Sequence, residues 1–84
     1  MAKLPCVVLR DARKRSGKSQ EQVADDLEVT QPCISKWETG DSIPPPGDAI
    51  RIAAAYEVNP KVLLRSVQAA LESRAREARE AKAS

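Results

Sequence analysis

The stretch SQEQVADDLEVTQPCISKWETG, residues 19–40, decides the fold of this chain. It begins with Ser19 and has a glutamine three residues later, which is the form of a capping box at a helix N-terminus. Apolar residues at helical spacing then carry this helix to Leu27. We predict a second helix over residues 31–39, capped by Thr30 and ended by a glycine. Two short helices joined by a three-residue turn have the outline of a helix-turn-helix.

Outward from this pair, the same patterns predict three more helices. One covers residues 7–16, one covers residues 49–56, and one begins at Pro60 and extends its apolar stripe to Leu71. Ala, Leu, Arg, Glu and Lys dominate, and the chain has only one Trp, one Tyr and no Phe, so we expect an all-α fold of five helices with an extended C-terminal helix. The predicted core is the apolar face of these helices: Val23, Ala24, Leu27, Ile34, Trp37, Ile50 and Ala53.

The residue types present exclude several functions. The 84 residues suffice for one domain, and they include no histidine, which is the commonest general base and a common metal ligand. The two cysteines, Cys6 and Cys33, lack the spacing of a zinc motif, so we expect no metal and no cofactor. An enzyme is close to excluded on these grounds. The chain shows no signal peptide and no long apolar run, so we expect a cytoplasmic protein without membrane contact.

The net charge of +2 is small but unevenly distributed. Residues 1–18 hold six Lys or Arg residues and one Asp, whereas residues 19–30 hold four acidic residues and no basic one. This pattern indicates an oriented electrostatic surface and not a uniformly adhesive one.

Particular residues in the quoted stretch resemble those of a known family. The sequence from residue 9 to residue 40, continued by IAAAYEVNP at residues 52–60, resembles the lambda-repressor-like family, also called the Cro/repressor or XRE family. The most specific pieces are Ser19-Gln20, Val23-Ala24, Val29-Thr30, Ile34-Ser35 and Trp37-Glu38-x-Gly40. The resemblance implies a five-helix DNA-binding domain whose second helix crosses the DNA backbone and whose third enters the major groove. We accordingly predict a DNA-binding domain at residues 1–64 and a helical extension at residues 65–84. The first part of this extension would mediate dimerisation, and its end would be a solvated tail.

The resemblance also implies roles for individual residues. Gln20 matches the family's phosphate-contacting glutamine, and a helix N-terminus at this position favours an anion in any case. The side chains of the third helix suit readout, since Gln pairs with adenine, Lys with guanine, and an apolar ring with the thymine methyl. Arg13 and Glu38 match a pair that the family often joins by an ion pair. The residues that we predict to bind DNA are Gln20, Thr30, Gln31, Pro32, Ser35, Lys36, Lys14 and Arg15.

Four residues depart from the family's pattern. Glu28 and Glu57 stand after helices where the family has glycine, at positions that call for a positive φ. Lys18 stands where an apolar residue usually packs. The loop after the third helix is often basic in relatives but begins here with Asp41. Other basic residues would therefore have to supply its phosphate contacts: Lys14, Arg15, Lys36 or those of the C-terminal tail.

These observations together predict a sequence-specific DNA-binding transcriptional regulator. The resemblance favours a repressor of phage or mobile-element type that binds a palindromic operator as a homodimer, because one recognition helix reads only a few base pairs. The candidate dimer face on the last helix is Leu64, Val67 and Leu71. Three alternatives stay open: an activator that touches RNA polymerase through the acidic second helix, the antitoxin of a toxin–antitoxin pair, and a pure protein-interaction module.

Overall fold

The computed structural model describes the backbone of residues 3–83 and the side chains of residues 3–79. Its α-helices are α1 (Pro5–Ser16), α2 (Gln20–Leu27), α3 (Gln31–Thr39), α4 (Ala49–Tyr56) and α5 (Pro60–Ala83), and a 3-10 turn at Pro46–Asp48 precedes α4. The expected all-α fold is confirmed. α1 begins two residues earlier than predicted, because proline fits the first turn of a helix. Within the described range, no helix has both the length and the apolar character needed to cross a bilayer.

Local capping explains where α2 and α5 begin. Ser19 Oγ accepts a hydrogen bond from the backbone N–H of Gln22 at 3.1 Å, and the Gln22 side chain accepts one from the Ser19 N–H at 2.8 Å. The predicted capping box is therefore confirmed. At the start of α5, Asn59 Oδ1 accepts from the Lys61 N–H at 2.8 Å. Thr30 occupies the N-cap position of α3, but its side chain makes no capping hydrogen bond within the described residues, so its hydroxyl is not committed to the helix.

The turns after α2 and α4 hold a non-glycine residue in the left-handed region. Glu28 has a φ of 57° and Glu57 a φ of 56°, as the two departures from the family's glycines predicted. This conformation costs an L-residue with a side chain roughly 1 kcal/mol or more. Backbone hydrogen bonds close the first turn despite the strain, since the Glu28 N–H donates to Asp25 O at 3.2 Å and the Val29 N–H to Ala24 O at 2.9 Å.

The core draws side chains from all five helices. Those with essentially no exposed surface are Leu9, Val23, Ile34, Ile52, Ala53, Tyr56, Leu63 and Val67. Trp37 is buried as predicted. The prediction for Ile50 was wrong, because this side chain is 76% exposed while Ile52 and Tyr56 point inward. An eight-residue helix rich in alanine fits more than one inward face, so its pattern alone did not identify the buried one.

α5 packs against α1 and α4 and continues without a break past residue 64, where we placed the domain boundary. Its inward residues include Leu63 and Val67, both without exposed surface. Val67 is therefore inaccessible to a second chain, and its assignment to the dimer face was wrong. The spacing explains this result, since Val67 lies one turn after Leu63 on the same inward stripe. Leu64 is half-buried and Leu71 is 40% exposed, and their separation of seven residues places them together on another face.

The backbone strain at Glu28 predicts a stabilising substitution. Glycine removes the Cβ that opposes a positive φ, and it removes a negative charge from the C-terminal end of α2. We expect Glu28→Gly to raise the free energy of unfolding by about 0.5–1 kcal/mol, measured by urea denaturation. The matched control inside α2 is Glu21→Gly, which should lower that free energy by about 1 kcal/mol because its backbone is helical. A Glu28→Gly protein less stable than the parent would contradict the strain.

Candidate nucleic-acid interface

The α2–turn–α3 unit presents the N-terminal half of α3 at the surface. α2 and α3 pack directly on each other, and their buried side chains join the common core: Val23, Ala24, Leu27, Ile34 and Trp37. The outward side of α3 carries Gln31, Pro32 and Lys36, all exposed, and the half-buried Ser35. Thr30 lies next to them and lines one shallow groove with Pro32 and Lys36. Five of the eight residues predicted to bind DNA therefore lie together at the start of α3.

Gln20 joins this surface from the first position of α2. Gln31 Nε2 donates a hydrogen bond to Gln20 Oε1 at 2.7 Å, so the two predicted DNA-binding glutamines are in direct contact. The N–H groups in the first turn of a helix lack partners within that helix, and together with the helix dipole they attract anions. The contact thus joins a candidate base-reading side chain to a candidate phosphate-binding helix end.

The two basic residues predicted on α1 do not join the Gln20–Gln31 contact. Lys14 and Arg15 are exposed in the last turn of α1. Arg15 lines a groove between α1 and the start of α5, together with Glu57 and Arg65. Among the described residues, none of those lining this groove comes from α3. The structure therefore does not bring Arg15 beside Gln31.

An ion pair between the half-buried Arg13 and the buried Glu38 lies beneath the surface formed by α2 and α3. Arg13 Nε donates to Glu38 Oε1 at 3.0 Å and to Oε2 at 2.9 Å, and Arg13 Nη2 lies 2.9 Å from Oε1. The Glu38 side chain is 2% exposed, and a charge this deeply buried requires such partners. The hydrogen bond to Glu38 raises the pKa of Arg13. Arg13 Nη1 also donates to the Lys18 carbonyl at 3.1 Å, which connects α1 to the start of α2.

Tyr56 is a partner of Glu38 that sequence reasoning missed. Its hydroxyl donates to Glu38 Oε2 at 2.9 Å, and the side chain has no exposed surface. Burial, and then the negative charge of Glu38, raise the pKa of Tyr56 well above its usual range. The available signal was its position four residues after Ile52 on the inward stripe of α4. A buried tyrosine needs a hydrogen-bond partner, but spacing along the chain does not reveal which one.

Glu38 connects this buried group to the surface. Gln20 Nε2 donates to Glu38 Oε1 at 3.4 Å, and Gln20 in turn accepts the hydrogen bond from Gln31. We call Arg13, Glu38, Tyr56, Gln20 and Gln31 the Glu38 network. Each buried side-chain nitrogen or oxygen atom in the described residues has a hydrogen-bond partner. The Glu38 network therefore runs from the core to the first turn of α3 with its buried polar atoms satisfied.

Two basic side chains near the α2–α3 unit donate hydrogen bonds to carbonyl groups at the C-terminal ends of helices. Lys18 Nζ donates to the Ala55 carbonyl at 3.1 Å and to Asp26 Oδ2 at 3.4 Å. Arg51 Nη2 donates to the Leu27 carbonyl at 2.9 Å. Cations at the C-terminal ends of α4 and α2 bind carbonyl groups that a helix leaves without partners. Lys18 therefore connects the start of α2 to the end of α4.

The loop after α3 begins with acidic character, as its sequence indicated. Asp41 is exposed, and its carboxylate accepts a hydrogen bond from Thr39 Oγ1 at 3.1 Å. Arg74 Nη2 of α5 donates to the Gly40 carbonyl at 3.2 Å. A cation from the helical extension thus stands beside the loop that lacks a basic residue of its own.

Comparison with known proteins identifies the family. One family model, described as Helix-turn-helix, matches residues 9–63. The chain belongs to the XRE, or lambda-repressor-like, helix-turn-helix family. This XRE-family protein is a DNA-binding transcriptional regulator that binds double-stranded DNA. Its family is one of regulatory domains and not of enzymes. A search of curated proteins and a search of solved structures gave no significant match.

Two further observations concern the extent of the family match and the residues that could bind a metal. The family match ends at residue 63, so the larger part of α5 lies beyond it. Within the described residues, no three His, Cys, Asp or Glu side chains are grouped so that they could hold a metal ion, and both cysteines are free and half-buried.

The raised pKa of Tyr56 predicts a loss of stability at alkaline pH. The folded protein keeps the phenolic proton at pH values where the unfolded chain, with a pKa near 10, has lost it. The resulting stabilisation is complete below about pH 10 and falls by up to about 1.4 kcal/mol per pH unit above it. Tyr56→Phe has no such proton. The difference in free energy of unfolding between the two proteins, measured in urea from pH 8 to pH 11, should therefore shrink as the pH rises. A difference independent of pH would contradict the burial of this hydroxyl.

Proposed function

We propose that this XRE-family protein is a cytoplasmic repressor, of the kind that phages and mobile elements carry, and that it binds a palindromic operator as a homodimer. The observation that carries the proposal is the exposed start of α3, where Gln31, Pro32 and Lys36 lie outward on a helix whose other side is buried. An α-helix fits the major groove, where these side chains can reach base edges. A dimer bound across a promoter represses by excluding the polymerase.

The α3 side chains supply the chemistry for base readout. The Gln31 amide complements adenine, the Lys36 ammonium complements the O6 and N7 acceptors of guanine, and the Pro32 ring can contact a thymine methyl. Ser35 lies one turn after Gln31 and three residues after Pro32, so it points toward the same groove. Because Ser35 is half-buried and its side chain is short, it can contact only a DNA atom that comes close to the axis of α3.

Phosphate contacts would come from several elements around α3. Gln20 at the N-terminus of α2 contacts Gln31, and Thr30 directly precedes Gln31 as the N-cap residue of α3. Lys14 adds a cation from α1, and Arg74 adds one beside the acidic loop. Arg15, which lines the groove between α1 and α5, adds to the positive charge of α1. Each phosphate that a cation neutralises releases counterions, so binding should weaken steeply with salt.

A second copy of the chain is the partner that operator size requires. One α3 reads only a few base pairs, whereas two copies a helical turn apart give usable specificity. Leu64 and Leu71 form the candidate dimer face on α5, and the exposure of Leu71 supports this choice. We propose residues 1–64 as the DNA-binding domain and residues 65–84 as the extension that pairs two copies.

Two exposed surfaces support alternative functions. The exposed acidic residues in and directly after α2 suit an activator that contacts RNA polymerase: Glu21, Asp25, Asp26 and Glu28. Alanine at these positions would then spare operator binding and abolish transcription. The α5 side chains from Leu71 to Arg79 are exposed and suit an antitoxin that holds a toxin. A toxin gene beside the gene for this chain would favour that function.

The experiment that tests the proposal is selection of bound DNA from a pool of random duplexes at about physiological salt, followed by sequencing. A palindromic motif with half-site centres about 34–36 Å apart, one helical turn, would support a dimeric operator binder. A lack of enrichment would contradict sequence-specific binding and leave the protein-interaction module as the better hypothesis.

Base readout by α3 predicts a selective loss of affinity. Gln31→Ala and Lys36→Ala should each cost about 1–3 kcal/mol on the selected duplex and much less on random DNA, measured by fluorescence anisotropy. The matched controls are Gln68→Ala and Lys61→Ala, which remove the same side-chain types from exposed positions on α5. Equal losses on both duplexes would reduce Gln31 and Lys36 to phosphate contacts.

The dimer face predicts a change of mass in solution. Leu71→Asp places a charge in an apolar contact and should convert a dimer to a monomer, measured by sedimentation equilibrium. Val62→Asp is the matched control, because Val62 is 49% exposed on the same helix and lies nine residues away on the opposite side. A Leu71→Asp protein that keeps the mass of a dimer would show that the copies pair through another surface.

A further inference from the structure

The Glu38 network determines which end of each glutamine amide points toward the DNA-binding surface. A carboxylate accepts hydrogen bonds and donates none, so the Gln20 group that lies 3.4 Å from Glu38 Oε1 is its NH2. The Gln20 carbonyl oxygen then points away from Glu38 and accepts from Gln31 Nε2 at 2.7 Å. One N–H of the Gln31 amide donates the hydrogen bond in this contact. Its carbonyl oxygen and its second N–H stay available at the exposed start of α3.

The position of the Glu38 carboxylate is fixed on both of its oxygens. Arg13 Nε donates to both of them, and the Tyr56 hydroxyl adds a third bond at Oε2. Tyr56 comes from α4 and has no exposed surface, so it cannot turn to another acceptor without opening the core. The carboxylate therefore offers Gln20 a fixed hydrogen-bond acceptor, so the Gln20 amide can approach it only with its NH2 group.

We propose that Glu38 and Tyr56 are positioning residues for base readout, which orient Gln31 through Gln20 so that it presents one acceptor and one donor to adenine. These two groups complement the N6–H and N7 of adenine in the major groove. The proposal rests on the proposed function, because it assigns the specificity of the base that Gln31 reads. A glutamine already ordered in the free protein also loses less rotamer freedom when it binds DNA.

The first test uses the full chain without DNA. Heteronuclear NOE measurements on the side-chain amides of ¹⁵N-labelled protein should show Gln20 and Gln31 ordered. The exposed Gln68 on α5 is the reference for a mobile amide. Tyr56→Phe should lower the NOE of both network amides. Ser66→Ala should not, because it deletes another buried hydroxyl whose hydrogen bond is to the Leu63 carbonyl and not to a member of the network. Gln20 and Gln31 amides as mobile as Gln68 in the parent protein would overturn the proposal.

The second test measures discrimination between base pairs. The base pair read by Gln31 is the one whose preference disappears in Gln31→Ala. The ratio of dissociation constants for duplexes with A·T and with a changed pair at that position should fall about fivefold or more in Gln20→Met. It should fall about threefold in Tyr56→Phe, where the carboxylate is only loosened. The ratio cancels the phosphate contacts that Gln20 makes, and it should be unchanged in Ser66→Ala.

The outcomes separate this proposal from the proposed function. If Gln31→Ala leaves every preference unchanged, base readout by Gln31 is wrong and the positioning role falls with it. If Gln31→Ala removes a preference that Gln20→Met and Tyr56→Phe both retain, readout stands and positioning by the Glu38 network is overturned. A preferred base other than adenine at that position would overturn the assigned amide polarity. Equal losses in Ser66→Ala and Tyr56→Phe would assign the effect to stability alone.

Discussion

The buried carboxylate of Glu38 is the constraint on which the arrangement of the helices depends. A charge on a side chain that is 2% exposed is tolerated only when it is paired and hydrogen-bonded. Its partners come from three other helices: Arg13 from α1, Gln20 from α2 and Tyr56 from α4. Because Glu38 lies on α3, four helices must meet at one point. A buried ion pair roughly offsets its own desolvation, so we infer that Glu38 selects this packing more than it adds net stability.

The same carboxylate links the stability of the fold to the surface of α3. Glu38 and Gln31 lie seven residues apart and therefore on the same side of the helix, one buried and the other exposed. Gln20 from α2 bridges them. The helix-turn-helix therefore places its base-reading end beside a group that the core holds in place, although the turn at Glu28 is strained. Packing of α2 and α3 into the common core offsets that strain.

Much of the fold could be predicted because its signals are local. Ser19 and Gln22 formed the capping box that their spacing indicated, and Glu28 adopted the positive φ that its place after α2 required. The contact between Arg13 and Glu38 was implied by the family resemblance and not by any pattern within the chain. Ile50 was wrongly placed in the core, because in an alanine-rich helix several inward faces bury similar apolar area. The roles of Gln31 and Lys36 at a DNA surface stay predictions.

By itself, the sequence determined the helices, their ends and the helix-turn-helix unit, since capping, turn conformation and helical periodicity act between residues a few positions apart. Only the tertiary structure decided that Tyr56 bonds Glu38 and that Gln20 joins Glu38 to Gln31. It also decided that Val67 is covered by its own chain and Ile50 is not. These outcomes depend on which side each helix turns toward its neighbours. Contacts across 18 and 25 positions of the chain settle that choice, and local spacing does not encode them.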